Sequence, residues 1–383
     1  MTNAIFDVSN MLFRSMFSVS NYGQKSYTFD DQDQLDQLMR KICMDISYII
    51  RCINPSRVIF ALDSSSWRKD INIEENEGYK ANREKSKNIN WDNIYASLDE
   101  FSEIMEGNGY IVTRIKGGEA DDTITLWNNE LHMIQHQHVV IVTGDEDMRQ
   151  LVSSHIHDDK PVFTTVFNPF MQGKNASRKL YIPTGFREWL NTMEEADIFN
   201  LTMDVDKEEF AKLERTEKIR FEETDGNLIK MRKIFCGDDG DNIPSIFTWL
   251  KNGKEVRFTN SKFEKMMEVL GPKCDHDELL KKSDIVLANI KSLTKETPSF
   301  NIDERLKRQI KLVALDPGVF PENIRTAFAG LKDEELKKPK TKNTHINMYE
   351  LLKGTKYVTE KVQSQNKSSI FNDVDKINKI ALF

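Results

Sequence analysis

Nine acidic side chains fall in five short segments: Asp7 in "FDVSN", Asp63 in "ALD", Glu119, Asp121 and Asp122 in "GGEADD", Asp145 and Asp147 in "TGDEDM", and Asp238 and Asp241 in "GDDGDN". A helix N-terminus favours an acid, but each such contact contributes only ~0.3–1 kcal/mol. One or two carboxylates would satisfy "GGEADD" as a cap. A third adds repulsion and raises the pKa of its neighbours unless a cation sits among them. All-oxygen ligand sets suit Mg²⁺ or Mn²⁺. Two such ions ~3.5–4 Å apart hold a phosphodiester between them, one generating hydroxide and the other stabilising the leaving oxygen. The chemistry implied is hydrolysis of phosphate esters. Taken singly, each segment also reads as a turn, a loop or a helix cap. Taken together, independent caps have no reason to gather in one place.

The segment "GYKANREKSK" supplies what an acidic site lacks. Lys80 and Arg83 stand three apart and could grip a scissile phosphate, while Tyr79 could stack a base, a contact worth ~1–3 kcal/mol in single-strand binders. Glu74, Glu75, Glu77 and Glu84 share the stretch, so a solvated face is the alternative. Trp67 and Trp91 bracket it as anchors or hinges.

These residues need a frame. In the first ~190 residues, short runs rich in Val and Ile alternate with helix-length amphipathic segments, as in βα units on a parallel sheet. Strands are expected at 4–8, 58–63, 110–114 and 139–144, and helices at 34–53, 92–106, 120–136 and 146–153. Residues 161–167 and 178–183 read as a further strand or hairpin. Strand C-termini of a parallel sheet share one edge, where ligands bind. Asp7, Asp63, Asp145 and Asp147 lie at such ends, and "GGEADD" opens the helix after 110–114. Residues 191–229 are an acid-rich insertion or connector, with a solvent-facing helix over 204–223. Apolar spacing near 3.6 marks 230–335 as a second, helical domain. The remainder, 336–383, is a linker and a tail.

Length and composition agree. At 383 residues, two domains are expected. No apolar run approaches the ~20 residues of a membrane span. "MTNAIFDVSN" has no basic region before an apolar one, so no secretory signal is read and a cytoplasmic location is expected. Cys43, Cys52, Cys236 and Cys274 lack CxxC spacing, which argues against a zinc ribbon or a disulfide framework. His132 and His136 could ligate a metal from one helix face, but no Cys or acid is near in sequence, and a polar helix end is the simpler reading. A net charge of −7 looks wrong for a nucleic-acid binder, yet without the nine clustered acids the remaining chain is slightly positive.

In this order, "FDVSN", "ALD", "GYKANR", "GGEADD", "TGDEDM" and "GDDGDN" resemble the 5′ nucleases, which comprise flap endonucleases and the 5′-3′ exonuclease domains of bacterial DNA polymerases. "SWRKD", "NWD" and "LVALDPGVFPENI" look closest to the ribonuclease H of T4-like bacteriophages. The resemblance implies a PIN-like α/β nuclease domain over 1–190, with 68–100 as an arch or clamp, and a helical, helix-three-turn-helix-like DNA-binding domain over 230–335. It implies two Mg²⁺ ions, with Mn²⁺ able to substitute. Asp7, Asp63, Glu119 and Asp121 would serve the first. Asp122, Asp145, Asp147, Asp238 and Asp241 would serve the second, with Asp121 shared and some acting through water. Lys80 would contact the scissile phosphate with Arg83 beside it, and Tyr79 would lie near flipped nucleotides. The substrates implied are DNA and RNA–DNA duplexes with 5′ ends or flaps, cut by a monomer in the cytoplasm of a host cell.

One departure stands out. Many members follow "DNIPG" with a Gly-x-Gly hairpin that grips duplex phosphates and often a potassium ion. Here "DNIPSIFTWLKNGKEVRFTNSK" has only Gly253, so that site is in doubt, and Lys251, Lys254, Arg257 and Lys262 are candidate replacements as phosphate contacts. At the C-terminus, Ile370, Val374 and Ile377 follow helical spacing and Leu382 and Phe383 end the chain, a pattern suited to docking on a sliding clamp or single-strand-binding protein, or to packing on its own domain. Two other classes compete. A haloacid-dehalogenase-type phosphatase needs an acid where Ser9 stands, and a non-catalytic replication-fork binder has no need of nine acids with Lys80 and Arg83.

Overall fold

The computed structural model describes residues 2–21, 27–53, 55–73, 77–83, 88–172, 177–186, 219–251 and 254–338. Its centre is an eight-stranded sheet built from β1 (Thr2–Asp7), β2 (Arg57–Ala61), β3 (Ile111–Thr113), β4 (His138–Val142), β5 (Ser153–His157), β6 (Lys160–Gln172), β7 (Ser177–Pro183) and β8 (Ile219–Thr224). The order is β3-β2-β1-β4-β6-β7-β8, with β5 paired to β6. Strands β3, β2, β1, β4 and β6 run parallel, whereas β5 and β7 are antiparallel to β6.

Successive side chains of a strand point to opposite faces. Ala4, Phe6, Val58, Phe60, Val140 and Val142 therefore join one core. Ile5, Ile59, Ala61, Val139 and Ile141 join the other. Burial on both faces is why these strands are nearly continuous apolar runs. Helices α1 (Val8–Asn21), α2 (Gln32–Ile53) and α3 (Trp91–Gly107) contribute to the first core, and α4 (Ala120–Asn128) to the second.

A third core holds the helical region. It draws on α5 (Gly226–Cys236), α6 (Asn260–Leu270), α7 (His276–Lys281), α8 (Ser283–Thr294) and α9 (Ile302–Val313). A hairpin of β9 (Thr248–Lys251) and β10 (Lys254–Arg257) lies between α5 and α6.

Several elements differ from the sequence reading. Helix α1 leaves β1 with no breaker between them, so the expected strand at 4–8 hides its start. The helix expected over 146–153 is a short 3-10 turn, Asp147–Leu151, followed by strand β5. The helix over 120–136 ends at Asn128 and continues as a π turn, Asn129–Ile134. Within 204–223, residues 219–223 belong to β8, parallel to β7, and the rest lie outside the described residues. Helix α10 (Glu322–Lys337) does not close the helical region. Ile324 and Phe328 enter the second sheet core, Phe328 meeting Trp127 edge-on at 4.9 Å, and Lys332 pairs with Glu130 at 2.6 Å. The tail residues Ile370, Val374, Ile377, Leu382 and Phe383 lie outside the described residues. No helix among the described residues is long and apolar enough to cross a membrane.

Candidate functional site

The parallel strands deliver their acids to one edge. Asp7 closes β1, and its carboxylate accepts from the Asn10 amide at 2.9 Å and the Thr143 hydroxyl at 2.8 Å. The same Thr143 oxygen accepts from the Asp145 amide at 3.0 Å, so one buried hydroxyl ties the ends of β1 and β4 together. Gly144 leaves room beside it: a Cβ there would lie 2.9 Å from Asn10 Oδ1 and from the Phe170 ring and would push those side chains aside. Asp63 follows β2, donates its amide to Ser9 Oγ at 3.1 Å and accepts from the Ala120 amide at 2.7 Å. Ser9 thus holds a neighbouring strand end instead of serving as an acid.

Burial, then the charges of Asp63 and Asp145, push Asp7 up to about 7. Asp63, open at the mouth but crowded beneath, is raised by desolvation first and by Glu119. Asp121 is raised well above the usual carboxylate range by burial and by Asp145, with Lys80 opposing. Burial and Asp145 bring Asp147 to about 6, against the pull of Lys233. Four acids whose protons are held this strongly lack enough positive charge around them.

The helical region closes the other side. Gly237 ends α5 at φ +74, and a Cβ would lie 2.4 Å from the Ile243 carbonyl, so only glycine lets the chain turn into "DDGDN" there. Asp238 and Asp241 enter the cleft from this turn, opposite Asp121 and Asp147. Lys233, one α5 turn earlier, bridges Asp147 and Asp238. Burial would raise Asp238, but Lys233 holds it below its ordinary value.

Lys80 donates to Glu119 Oε1 at 2.5 Å and stands 3.8 Å from Asp241. Burial works against its charge, yet Glu119, Asp121 and Asp241 raise its pKa on balance. Its backbone sits at φ +56, pinned by its amide on the Asp241 carbonyl at 2.8 Å. Exposed Arg83 pairs with Asp241 and donates to the Gly240 carbonyl at 3.2 Å.

Two expectations need correction. Asp122 does not face the cleft: it is 0% exposed, and its carboxylate accepts from the Glu119 amide at 2.9 Å and from Trp67 Nε1 at 3.1 Å, with Arg68 Nη1 at 2.8 Å. It is the third residue of the helix in a capping box with Glu119, so its oxygens are spent inside the protein. Tyr79 is 5% exposed, and its hydroxyl donates toward Glu119 and Asp241, each at 3.1 Å. Lys80 covers its ring at 4.8 Å, so a base cannot stack there. Within 68–100, Ile73 and Tyr79 enter the helical core and Gly78–Arg83 is hydrogen-bonded to the 239–242 turn, while 74–76 and 84–87 lie outside the described residues.

Lys233 and Arg68 were missed in the sequence. An i,i+5 spacing from Lys233 to Asp238 is a weak cue, and Arg68 stands in the quoted "SWRKD" with no role attached to it. Away from the site, Lys251, Lys254 and Arg257 are exposed on the β9–β10 hairpin, Arg257 pairing with Asp239, while Lys262 lies 5.0 Å over the Trp249 ring. His132 and His136 both contact His155 through ring nitrogens, at 3.2 and 3.0 Å, far from the acids in the sheet.

The donor chemistry, all oxygen with charge in excess, fits a hard divalent cation. Among the described residues no three acid, histidine or cysteine side chains already close on one point. Lys80 and Lys233 stand among the acids instead.

A parallel sheet with an acidic C-terminal edge, capped by a helical region, defines a PIN-like, resolvase-like nuclease architecture. Residues 2–179 match the family described as "5′-3′ exonuclease, N-terminal resolvase-like domain". Over that domain, a little under half of the chain, the sequence is similar to the 5′-3′ exonucleases. In fold it is similar to the bacteriophage T5 5′-exonuclease with bound zinc ions, at 16% identity and a TM-score of 0.53, over 89% of this chain and 100% of that one. The T5 flap endonuclease in a pseudo-enzyme-product complex with DNA and metal ions is 17% identical with a TM-score of 0.49, over 88% and 95%. No curated protein matches the sequence.

Proposed function

We propose that the protein is a structure-specific 5′-3′ exonuclease and flap endonuclease with ribonuclease H activity, removing RNA primers and 5′ flaps during replication. The observation that supports this reading is one cleft lined by acids from both sides, Asp7, Asp63, Glu119, Asp121, Asp145 and Asp147 from the sheet edge and Asp238 and Asp241 from the helical region, with Lys80 among them. Two Mg²⁺ ions bound there would activate water and stabilise the leaving oxygen of a phosphodiester.

The chain's own residues would do the rest. Asp7, Asp63, Glu119 and Asp121 would hold one ion, and Asp145, Asp147, Asp238 and Asp241 the other. With the acids' charge balanced in that way, Lys80 would be able to turn from Glu119 to the scissile phosphate, while Lys233 would keep Asp147 and Asp238 together. Arg83, the hairpin cations Lys251, Lys254 and Arg257, and Lys262 at the start of α6 would follow the backbone and fix the register of the duplex.

The test is a comparison of 5′-labelled substrates in Mg²⁺: an RNA-primed duplex, an all-DNA duplex and a flapped duplex. Short 5′ products from all three support the full reading. Cutting confined to DNA removes the ribonuclease H assignment, and no cutting of any removes the enzyme. The resemblance to the ribonuclease H of T4-like phages motivates the RNA arm.

A further inference from the structure

"GGEADD" holds three acids at consecutive or near-consecutive positions, yet only Asp121 of the aspartates can serve the cleft, because Asp122 points inward. Which acid faces the cleft is set by the rotation of the first turn of α4 about its axis. That rotation is fixed from the loop after β2. Arg68, 2% exposed, places Nη1 2.8 Å from Asp122 Oδ1 and 3.3 Å from Glu119 Oε2. Trp67 Nε1 donates to the other oxygen of Asp122 at 3.1 Å. The guanidinium is itself held between the rings of Trp67, at 4.6 Å, and Phe320, at 5.9 Å, and these rings meet edge-on at 6.3 Å.

Glu119 is gripped twice over. Oε2 takes Arg68 and the Tyr79 hydroxyl, while Oε1 takes Lys80. If Lys80 leaves for a phosphate, Arg68 still fixes the carboxylate. A lysine at position 68 would present a single ammonium and could not span Asp122 and Glu119 with one planar group.

We propose that Arg68 is a positioning residue of the nuclease site: by pairing with buried Asp122 and with Glu119 it sets the rotation of α4 that turns Asp121 into the cleft. This rests on the function proposed above. Arg68, 2% exposed on the inner wall of the cleft, would act through the two acids it pairs with.

The experiment compares wild type, Arg68→Lys and Asp122→Asn. Three quantities are read: Mn²⁺ binding to metal-free protein by calorimetry, affinity for a flapped duplex in Ca²⁺, and the Mg²⁺ concentration for half-maximal cleavage. Circular dichroism and Tm report folding. Loss of an outer-shell partner typically costs 10–100-fold in metal affinity or activity, so both variants should bind Mn²⁺ about 10–100-fold more weakly and need correspondingly more Mg²⁺. Duplex affinity should stay within about twofold, because Arg68 is sealed from the surface. Unchanged Mn²⁺ binding in a folded Arg68→Lys protein overturns the proposal. So does parallel loss of folding, Mn²⁺ and DNA binding in both variants, which would make the pair a stability element alone. If wild type binds Mn²⁺ but cuts nothing, the function reading fails while the Mn²⁺ titration still decides the role of Arg68.

Discussion

Asp147 and Asp238, ninety-one positions apart in the chain, are held by one ammonium group, that of Lys233. The first sits in a turn after the sheet edge and the second in a turn of the helical region, so this contact joins the two halves of the cleft.

Removing the ammonium leaves both acids short of positive charge. In Lys233→Ala, the proton affinity of Asp147, already raised to about 6, should rise further. The acidic limb of the pH–rate profile should then move to higher pH and cleavage should fall ~10–100-fold. An unchanged limb would show that Lys233 does not govern these acids.

Asp7 gives a stability test. Its proton affinity is raised from 3.8 to about 7, so the folded state binds the proton more tightly than the unfolded chain. The stability from this group is fully present below pH 3.8 and is lost as pH rises through about 7. Without divalent ions, Asp7→Asn should therefore raise Tm by about 3–6 °C at pH 8 and little at pH 4. Calorimetry at both pH values checks it, and equal shifts would contradict the repulsion inferred here.

Tyr79 separates two roles for an aromatic ring. Tyr79→Phe keeps the ring and removes the donor to Glu119 and Asp241, which should destabilise the protein by roughly 1–3 kcal/mol and slow cleavage. Affinity for a single-stranded 5′ flap, measured by fluorescence anisotropy, should not change. A large loss of flap affinity would restore a base contact for this residue.

The burial of Tyr79 illustrates what the sequence could convey. Strands such as Thr2–Asp7 and His138–Val142 are legible because burial on both faces demands continuous apolar runs. The acids at their ends follow from the topology of a parallel sheet. Asp121 and Asp122 look alike in sequence, since the division between cleft and core depends on helix rotation, although the Glu119-to-Asp122 spacing of a capping box was a cue. Arg68 lies in "SWRKD", but that stretch does not disclose its role, because its partners Glu119 and Asp122 are about fifty positions away. The strand Ile219–Thr224 was hidden because Arg220, Glu222 and Glu223 make it resemble a charged helix.

Replacing Lys251, Lys254 and Arg257 of the hairpin and Lys262 of α6 with glutamine should weaken duplex binding and flatten its salt dependence. Up to four lost phosphate contacts lower the slope of log K against log salt by ~3–4. Binding equal to wild type at every salt concentration would remove these residues from the interface.

The tail makes a separable prediction. Deleting 370–383 should reduce processivity with a sliding clamp and leave basal cleavage intact. Equal loss of both would indicate that the tail packs on its own domain.

The most direct measurement is cleavage of a 5′-labelled flapped duplex by wild type in Mg²⁺, by wild type in EDTA, and by Asp145→Asn in Mg²⁺, with binding followed in the same samples. Short 5′ products from the first alone, with binding retained in all three, are the predicted result. Cleavage that survives EDTA or Asp145→Asn, or a wild type that binds the flap in Mg²⁺ and Mn²⁺ and leaves it whole, would contradict hydrolysis at the carboxylate cluster.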